Sequence, residues 1–257
     1  MRSLKKKTVF VTGASSGIGK ACAEMFASIG ANVLICARRI ERIEKLANEL
    51  HKKYKVKAFA FELDVRNFDE VQSAINGLPK EWKKIDVLLN NAGLSRGLNK
   101  IQEGVLQDWE EMLDTNVKGL LYVSKTVIPL MLKNKCGHII NIGSIAGREL
   151  YPGGNVYCAS KFAVDALTKG MRIDLIGTGI KVSTVDPGLV NTEFSLVRYH
   201  NDKKRADSTY NGMKPLSGKD IAEVIQFVAT RDDNVNIADV LVLPKAQAAA
   251  TVVHRKQ

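Results

Sequence analysis

Tyr157 and Lys161 stand four residues apart in the stretch YCASK. On a helix that spacing puts a phenol and an ammonium on one face, about 5–6 Å apart at Cβ, where one charge can govern the other's protonation. A free phenol has a pKa of about 10, and a cation beneath it favours the phenolate and brings the group toward neutral pH. The pair therefore reads as a proton donor and acceptor. Ser144, closing the apolar run HIINIGS, offers a hydroxyl that can orient a carbonyl oxygen. Asn116, in DTNVKG, is a poor helix former inside a helical stretch and could hold a water that links Lys161 to solvent.

Positioning such residues falls to the alternating elements around them. Lys7–Thr12, Asn32–Cys36, 56–63 (VKAFAFEL), 86–93 (DVLLNNAG), 138–144 (HIINIGS), 180–188 (IKVSTVDPG) and 240–244 (VLVLP) are short apolar runs that predict strands. Between them, helical periodicity covers Ile18–Ile29, Ile40–Tyr54, Phe68–Gly77, Trp109–Lys133 with an interruption near Gly119, Tyr157–Leu175 and Gly218–Ala229. Apolar strands alternating with amphipathic helices imply an α/β fold, a doubly wound, Rossmann-type sheet of about seven mostly parallel strands with helices on both faces. Ligands then bind at the carboxyl ends of the strands. Thr12–Gly13, Asn90–Gly93, Ser144 and Pro187–Gly188 all fall there, so four separate segments converge on one edge. No Pro, Gly or Ser run marks a linker, and residues 1–257 read as one domain.

TGASSGIG follows the first strand and opens a helix. Its Gly13, Gly17 and Gly19 allow the backbone close to a pyrophosphate, and the helix N-terminus, with Ser15, Ser16 and Ile18, offers free N–H groups. About 20 residues on, where an acid would hold the ribose hydroxyls of NAD, the chain has Ala37, Arg38 and Arg39. A guanidinium can form charge-assisted hydrogen bonds with a 2′-phosphate that a carboxylate would repel, so the predicted cofactor is NADP(H). Asp64, with Val65 packing beside it, could hydrogen-bond the adenine. Lys161 can reach the ribose hydroxyls. Reduction would then join hydride transfer from the nicotinamide to proton donation by Tyr157, and the reverse reaction would use Tyr157 as base, with no metal needed to polarise the carbonyl.

Composition narrows the classes further. The net charge of +11 could serve nucleic acid, but the basic residues are interspersed with glutamates, as in RIERIEKLANELHKK, and no nucleic-acid-binding motif is present. The positive field is better suited to attracting an anionic small molecule. Cys22, Cys36, Cys136 and Cys158 are widely spaced, without a CxxC or a zinc pattern, and read as core residues in a reducing compartment. No run approaches the ~18 apolar residues of a membrane span, and the N-terminus lacks a secretory h-region, so a cytoplasmic protein without a membrane partner is expected.

These motifs, in this order and at these separations, resemble those of the short-chain dehydrogenase/reductases over nearly the whole chain. The resemblance implies a catalytic tetrad of Asn116, Ser144, Tyr157 and Lys161. It also implies cofactor contacts from Asn91, Ala92 and Gly93 and from the segment Pro187, Gly188, Val190 and Thr192, where the Thr192 hydroxyl helps bind the cofactor. Many NADP-using members carry a basic residue where this chain has Ser16, so the cofactor preference rests mainly on Arg38, with Arg39 in support. The insert at about 189–215 sits where a lid over the nicotinamide would be. SIAGRELYPGGNVYCASK and PGLVNTEFSLVRYHND are similar to a narrower branch, the NADP-dependent 3-hydroxy acid dehydrogenases that also oxidise serine and allo-threonine. Arg148 and Arg198 are available to pair with a substrate carboxylate, and Glu149 and Asn155 favour polar substrates. A reductase of bulkier ketones, steroids or sugars is the alternative. A nucleotide sensor of the same fold would have no need for Tyr157 and Lys161 together. The resemblance further implies a homodimer or homotetramer built through the helices at 109–133 and 156–175. The tail at about 245–257, apolar near Val252, is expected against a neighbouring subunit or free.

Overall fold

Thr8–Thr12 (β1) is buried along its whole length because its two faces feed two different cores. Val9 and Val11 join one cluster with Phe26, Ile35, Ile43 and Ile221, while Phe10 joins the other with Leu34, Leu88, Val127 and Ile139. That is the period-2 alternation of a strand covered on both sides. Each fully buried side chain of this size contributes roughly 1.5–3 kcal/mol. The structure is a computed structural model and describes residues 2–256; Met1 and Gln257, the outermost positions of the single-domain span and of the tail, lie outside the described residues.

After β1 come α1 (Gly17–Ser28), β2 (Asn32–Ala37), α2 (Ile40–Tyr54), β3 (Ala58–Glu62), α3 (Phe68–Asn76) and β4 (Val87–Asn90). The second half runs α4 (Leu106–Leu113), α5 (Leu120–Asn134), β5 (Gly137–Ile142), α6 (Asn155–Asp174) and β6 (Ile180–Pro187). It ends with β7 (Val190–Asn191), α7 (Phe194–Arg198), α8 (Lys203–Ser208), β8 (Leu216–Ser217), α9 (Gly218–Ala229) and β9 (Asp239–Val242). Seven strands form one sheet in the order β3-β2-β1-β4-β5-β6-β9, parallel throughout. The order reverses between β1 and β4, which opens a crevice at their carboxyl ends.

Two regions add detail to the sequence reading. The interruption expected near Gly119 in the helix over Trp109–Lys133 is a π turn at Asp114–Gly119 that joins two helices. The wide turn exists because Asn116 spends its side chain outside the helix: Oδ1 accepts from Leu94 N at 2.8 Å, and Nδ2 donates to Leu94 O at 2.8 Å and Ser160 Oγ at 3.0 Å. The stretch 189–215 is no plain loop. β7 pairs in parallel with β8 to close its base, and α7 and α8 form its body.

The tail folds back on its own chain. Ala250 N donates to Glu149 Oε2, Lys256 N to Gly212 O, and the Arg255 guanidinium to the carbonyls of Asn211 and Thr209. The alternative of a free tail gives way to one tied by these bonds to Glu149 and to the end of the lid, with Val252 left exposed. Glu149 is occupied there and does not line the cleft. Asn155 likewise donates to Asn99 O outside the main cavity. Among the described residues no helix is long and apolar enough to cross a membrane.

Candidate active site

A cavity of about 720 Å³ runs along the carboxyl edge of the sheet from the first glycine turn to the lid. At its entrance Gly13 takes a φ of +66°, and a Cβ there would press on Ala92 Cα at 2.9 Å. Thr12 fastens the two turns together by accepting from Asn91 N and Ala92 N, both at 3.0 Å. The expected Ser15, Ser16, Gly17 and Ile18 all line the cavity, while Gly19 lies behind them. Ser16 is the N-cap of α1 but makes no capping bond through its side chain, and the first turn holds no acid. The N–H groups of that turn therefore face the cavity ready for an anion.

Further along, Arg38, Arg39, Asp64 and Val65 line the end where an adenosine would lie. Arg38 is half exposed, and its ion pair, with Glu111, is long at 3.8 Å. Arg39 is more engaged: it donates to Ser15 Oγ at 2.8 Å, to Ser16 Oγ at 3.0 Å and to Glu193 Oε2 at 2.8 Å. Asp64 is gripped by Arg66 at 2.6 Å, a partner that sequence reasoning missed. Thr115, also missed, lines this wall with a buried Oγ1 that has no hydrogen-bond partner among the described residues. A buried hydroxyl left over in an elongated cleft with an anion-ready helix end fits a dinucleotide such as NADP(H).

Ser144, Tyr157 and Lys161 come together at the middle of the cavity, with Asn91, Ala92 and Gly93 below and Pro187, Gly188, Val190 and Thr192 alongside. Ser144 Oγ accepts from Ala146 N at 3.0 Å and reaches Pro187 O only at 3.5 Å, so its proton is weakly held. Lys161 Nζ donates to Ile142 O at 2.8 Å, which leaves two N–H donors uncommitted among the described residues. Burial lowers its pKa to about 8, against the pull of Asp186. Asn116 does not line the cavity. Its amide is fully bonded, and it acts through Ser160, whose hydroxyl meets Tyr157 O at 2.7 Å.

The cation nearest the Tyr157 ring differs from the expected one. Arg198 lies 5.2 Å from the ring centroid, Lys161 6.0 Å. Burial pushes the Tyr157 phenol up, and Arg198 followed by the Ser144 hydroxyl pulls it back. Arg198 is fixed by Ser95 Oγ and the Tyr151 hydroxyl, each at 3.0 Å. Its Nη1 has no hydrogen bond among the described residues, and the side chain lines the cavity beside Tyr157 and Phe194.

Arg148 is not brought to the site. Its Nε and Nη2 donate to Asp186 Oδ2 at 2.8 and 2.6 Å, and it does not line the cavity. The buried Asp186 carboxylate needs a counterion, and Arg148 is that counterion. Tyr151 was missed in sequence, although YPGG held the signal: a Cβ on Gly154 would strike the Tyr151 ring, so glycine there lets the ring turn back toward Arg198. Among the described residues no cluster of His, Cys, Asp or Glu could hold a metal ion.

A sequence profile described as short chain dehydrogenase matches residues 7–203. The chain is 46% identical over 258 residues, covering 100% of both chains, to an NADP-dependent 3-hydroxy acid dehydrogenase of Schizosaccharomyces pombe. It is 42% identical to sulfoacetaldehyde reductase 2 of Chromohalobacter salexigens, across 93% of this chain and 95% of that one. Among solved structures it is similar to the closed form of a serine dehydrogenase complexed with NADP+, with a TM-score of 0.91 and 40% identity over 97% of this chain and 100% of the other.

Proposed function

The chain belongs to the short-chain dehydrogenase family, and on that premise we propose that it interconverts the hydroxyl of a short 3-hydroxy acid, including substrates of the serine or allo-threonine type, and the carbonyl. It is an NADP-dependent oxidoreductase acting on CH–OH groups. The observation that carries the substrate assignment is Arg198: a guanidinium held on one edge by Ser95 and Tyr151, with Nη1 unspent among the described residues, in the cavity lining beside Tyr157. A planar fork in that position suits a carboxylate. The relatives' names point the same way, since a 3-hydroxy acid and sulfoacetaldehyde are both short anions.

When bound, NADP(H) supplies or accepts the hydride. The α1 N-terminus and the Ser15–Ser16 turn would hold its phosphates, Arg38 its 2′-phosphate, and Asp64, Val65 and Thr115 its adenosine. Tyr157 exchanges a proton at Oη with the substrate oxygen. Ser144 turns its weakly held hydroxyl toward the same oxygen. Lys161 offers its free donors to ribose hydroxyls, and Asn116 keeps the β4 loop and α6 in register so that these groups meet. Thr192 and Phe194 roof the site and help exclude water.

The test is a panel of serine, allo-threonine, 3-hydroxyisobutyrate, 3-hydroxybutyrate and neutral alcohols with NADP, read by NADPH absorbance. Turnover should favour the acids, and NAD should be a poor substitute. Preference for neutral ketones or steroids would instead support the bulkier-substrate reading. We also infer a cytoplasmic homodimer or homotetramer. Exposed Leu113, Leu121 and Leu132 on the α4–α5 side and Phe162 and Ile173 on α6 support that reading, and light scattering would test it.

A further inference from the structure

Glu193 stands at the N-cap of α7, in the lid, yet its carboxylate is spent on the opposite side of the cleft. Oε2 accepts from Arg39 Nη1 at 2.8 Å and Oε1 from Arg42 Nη1 at 2.7 Å. Arg39 in turn rests on Ser15 and Ser16 of the glycine turn. Next to Glu193, Thr192 abuts that turn directly: a Cβ on Gly17 would meet Thr192 Cβ at 3.1 Å. A closed ring results, running from the turn through Arg39 to Glu193 and back through Thr192. Arg39, Glu193, Thr192 and the two serines all line the cavity.

A dinucleotide laid from Asp64 and Thr115 to Tyr157 must pass between the turn and the lid, and this ring is where they join. We propose that Glu193 is the clasp of the lid: gripped by Arg39 and Arg42, it holds the lid shut across the cofactor and sets how fast the cofactor leaves. The inference rests on the reading of the cleft as an NADP(H) site. Arg39 thereby serves the lid, and Arg38 is the guanidinium left to a 2′-phosphate. All three side chains are 39–51% exposed, so each pair is weak alone, and one carboxylate shared by two arginines gives a latch that opens rather than a permanent weld.

The experiment follows NADPH release by stopped flow, displacing bound NADPH with excess NADP and reading nicotinamide fluorescence. Glu193→Gln should speed release roughly three- to tenfold while leaving the association rate nearly unchanged. Arg42→Glu should do the same, and because both changes act on one carboxylate, combining Arg42→Glu with Glu193→Gln should add little to either alone, a non-additivity that a merely misfolded lid would not show. Unchanged release in both single variants overturns the clasp. So does tighter NADPH binding by Glu193→Gln, which would mean that the carboxylate competes with phosphate for Arg39. Failure of the unaltered protein to bind NADPH would remove the functional reading and the clasp together, whereas tight binding with unaltered release removes the clasp alone.

Discussion

Buried and half-buried polar side chains gather around both ends of strands β4 to β6, and the two ends use them in different ways. At the amino end, Lys181 donates to three carbonyls, those of Arg231, Asp232 and Val235, at 3.1–3.2 Å. His138 Nε2 meets Ser183 Oγ at 2.8 Å, and Asp86 accepts from Thr8 N while pairing with Lys7. At the carboxyl end, Lys161 has one bond and two spare donors, Ser144 a weakly held proton, and Arg198 a free edge. Burial lowers the pKa of both lysines. His138 Nδ1, at the amino end, is also without a hydrogen-bond partner among the described residues, but it is sealed in the core; what separates structure from chemistry is therefore unspent hydrogen-bonding capacity that faces a cavity, rather than burial or a perturbed pKa.

Substitutions at the two ends should accordingly separate rate from stability. The largest effect is expected for Tyr157→Phe, which keeps the ring packing but removes the proton: turnover should fall about 10²–10⁴-fold with NADPH affinity and melting temperature near those of the parent. Comparable turnover would erase the distinction. Arg198→Met should raise KM for an acid substrate about 10- to 100-fold and spare a neutral alcohol. Because the guanidinium favours phenolate and oxidation needs Tyr157 as base, its loss should also move the rising limb of the oxidation pH profile to higher pH.

At the other end, Lys181→Met should lower stability to denaturant by about 1–3 kcal/mol, because three carbonyls lose their donor, while kcat and KM hold. A fall in kcat with stability intact would contradict the division. The smallest effect at neutral pH belongs to His138, whose pKa burial lowers from 6.5 to about 3. Between those values the unfolded chain binds a proton that the folded one does not, so stability falls as pH drops from 6.5 toward 3 and is unaffected above. His138→Gln should flatten that slope in acid denaturation. An unchanged slope would show that His138 is not its source.

The strands were legible because runs such as VFVT and HIINI are apolar on both faces, and their carboxyl ends followed from the fold rule. Tyr157 and Lys161 could be paired because a helix fixes what four residues apart means. Partners brought together from afar could not be read. Arg148 finds Asp186 across 38 positions, Arg198 finds Ser95 across 103, and the tail finds Glu149 across 101, distances over which no local period carries information. The lid's helices, at five and six residues, are too short to leave a periodic signal.

The π turn at Asp114–Gly119 also constrains how the gene can change in length. Deleting one residue there would close the wide turn to an ordinary α-helical one, so Val123, Val127 and Met131 would keep their face toward the sheet while Asn116 lost its grip on Leu94. The extra residue of this turn thus serves the site more than the fold, and its loss should cost turnover before it costs stability.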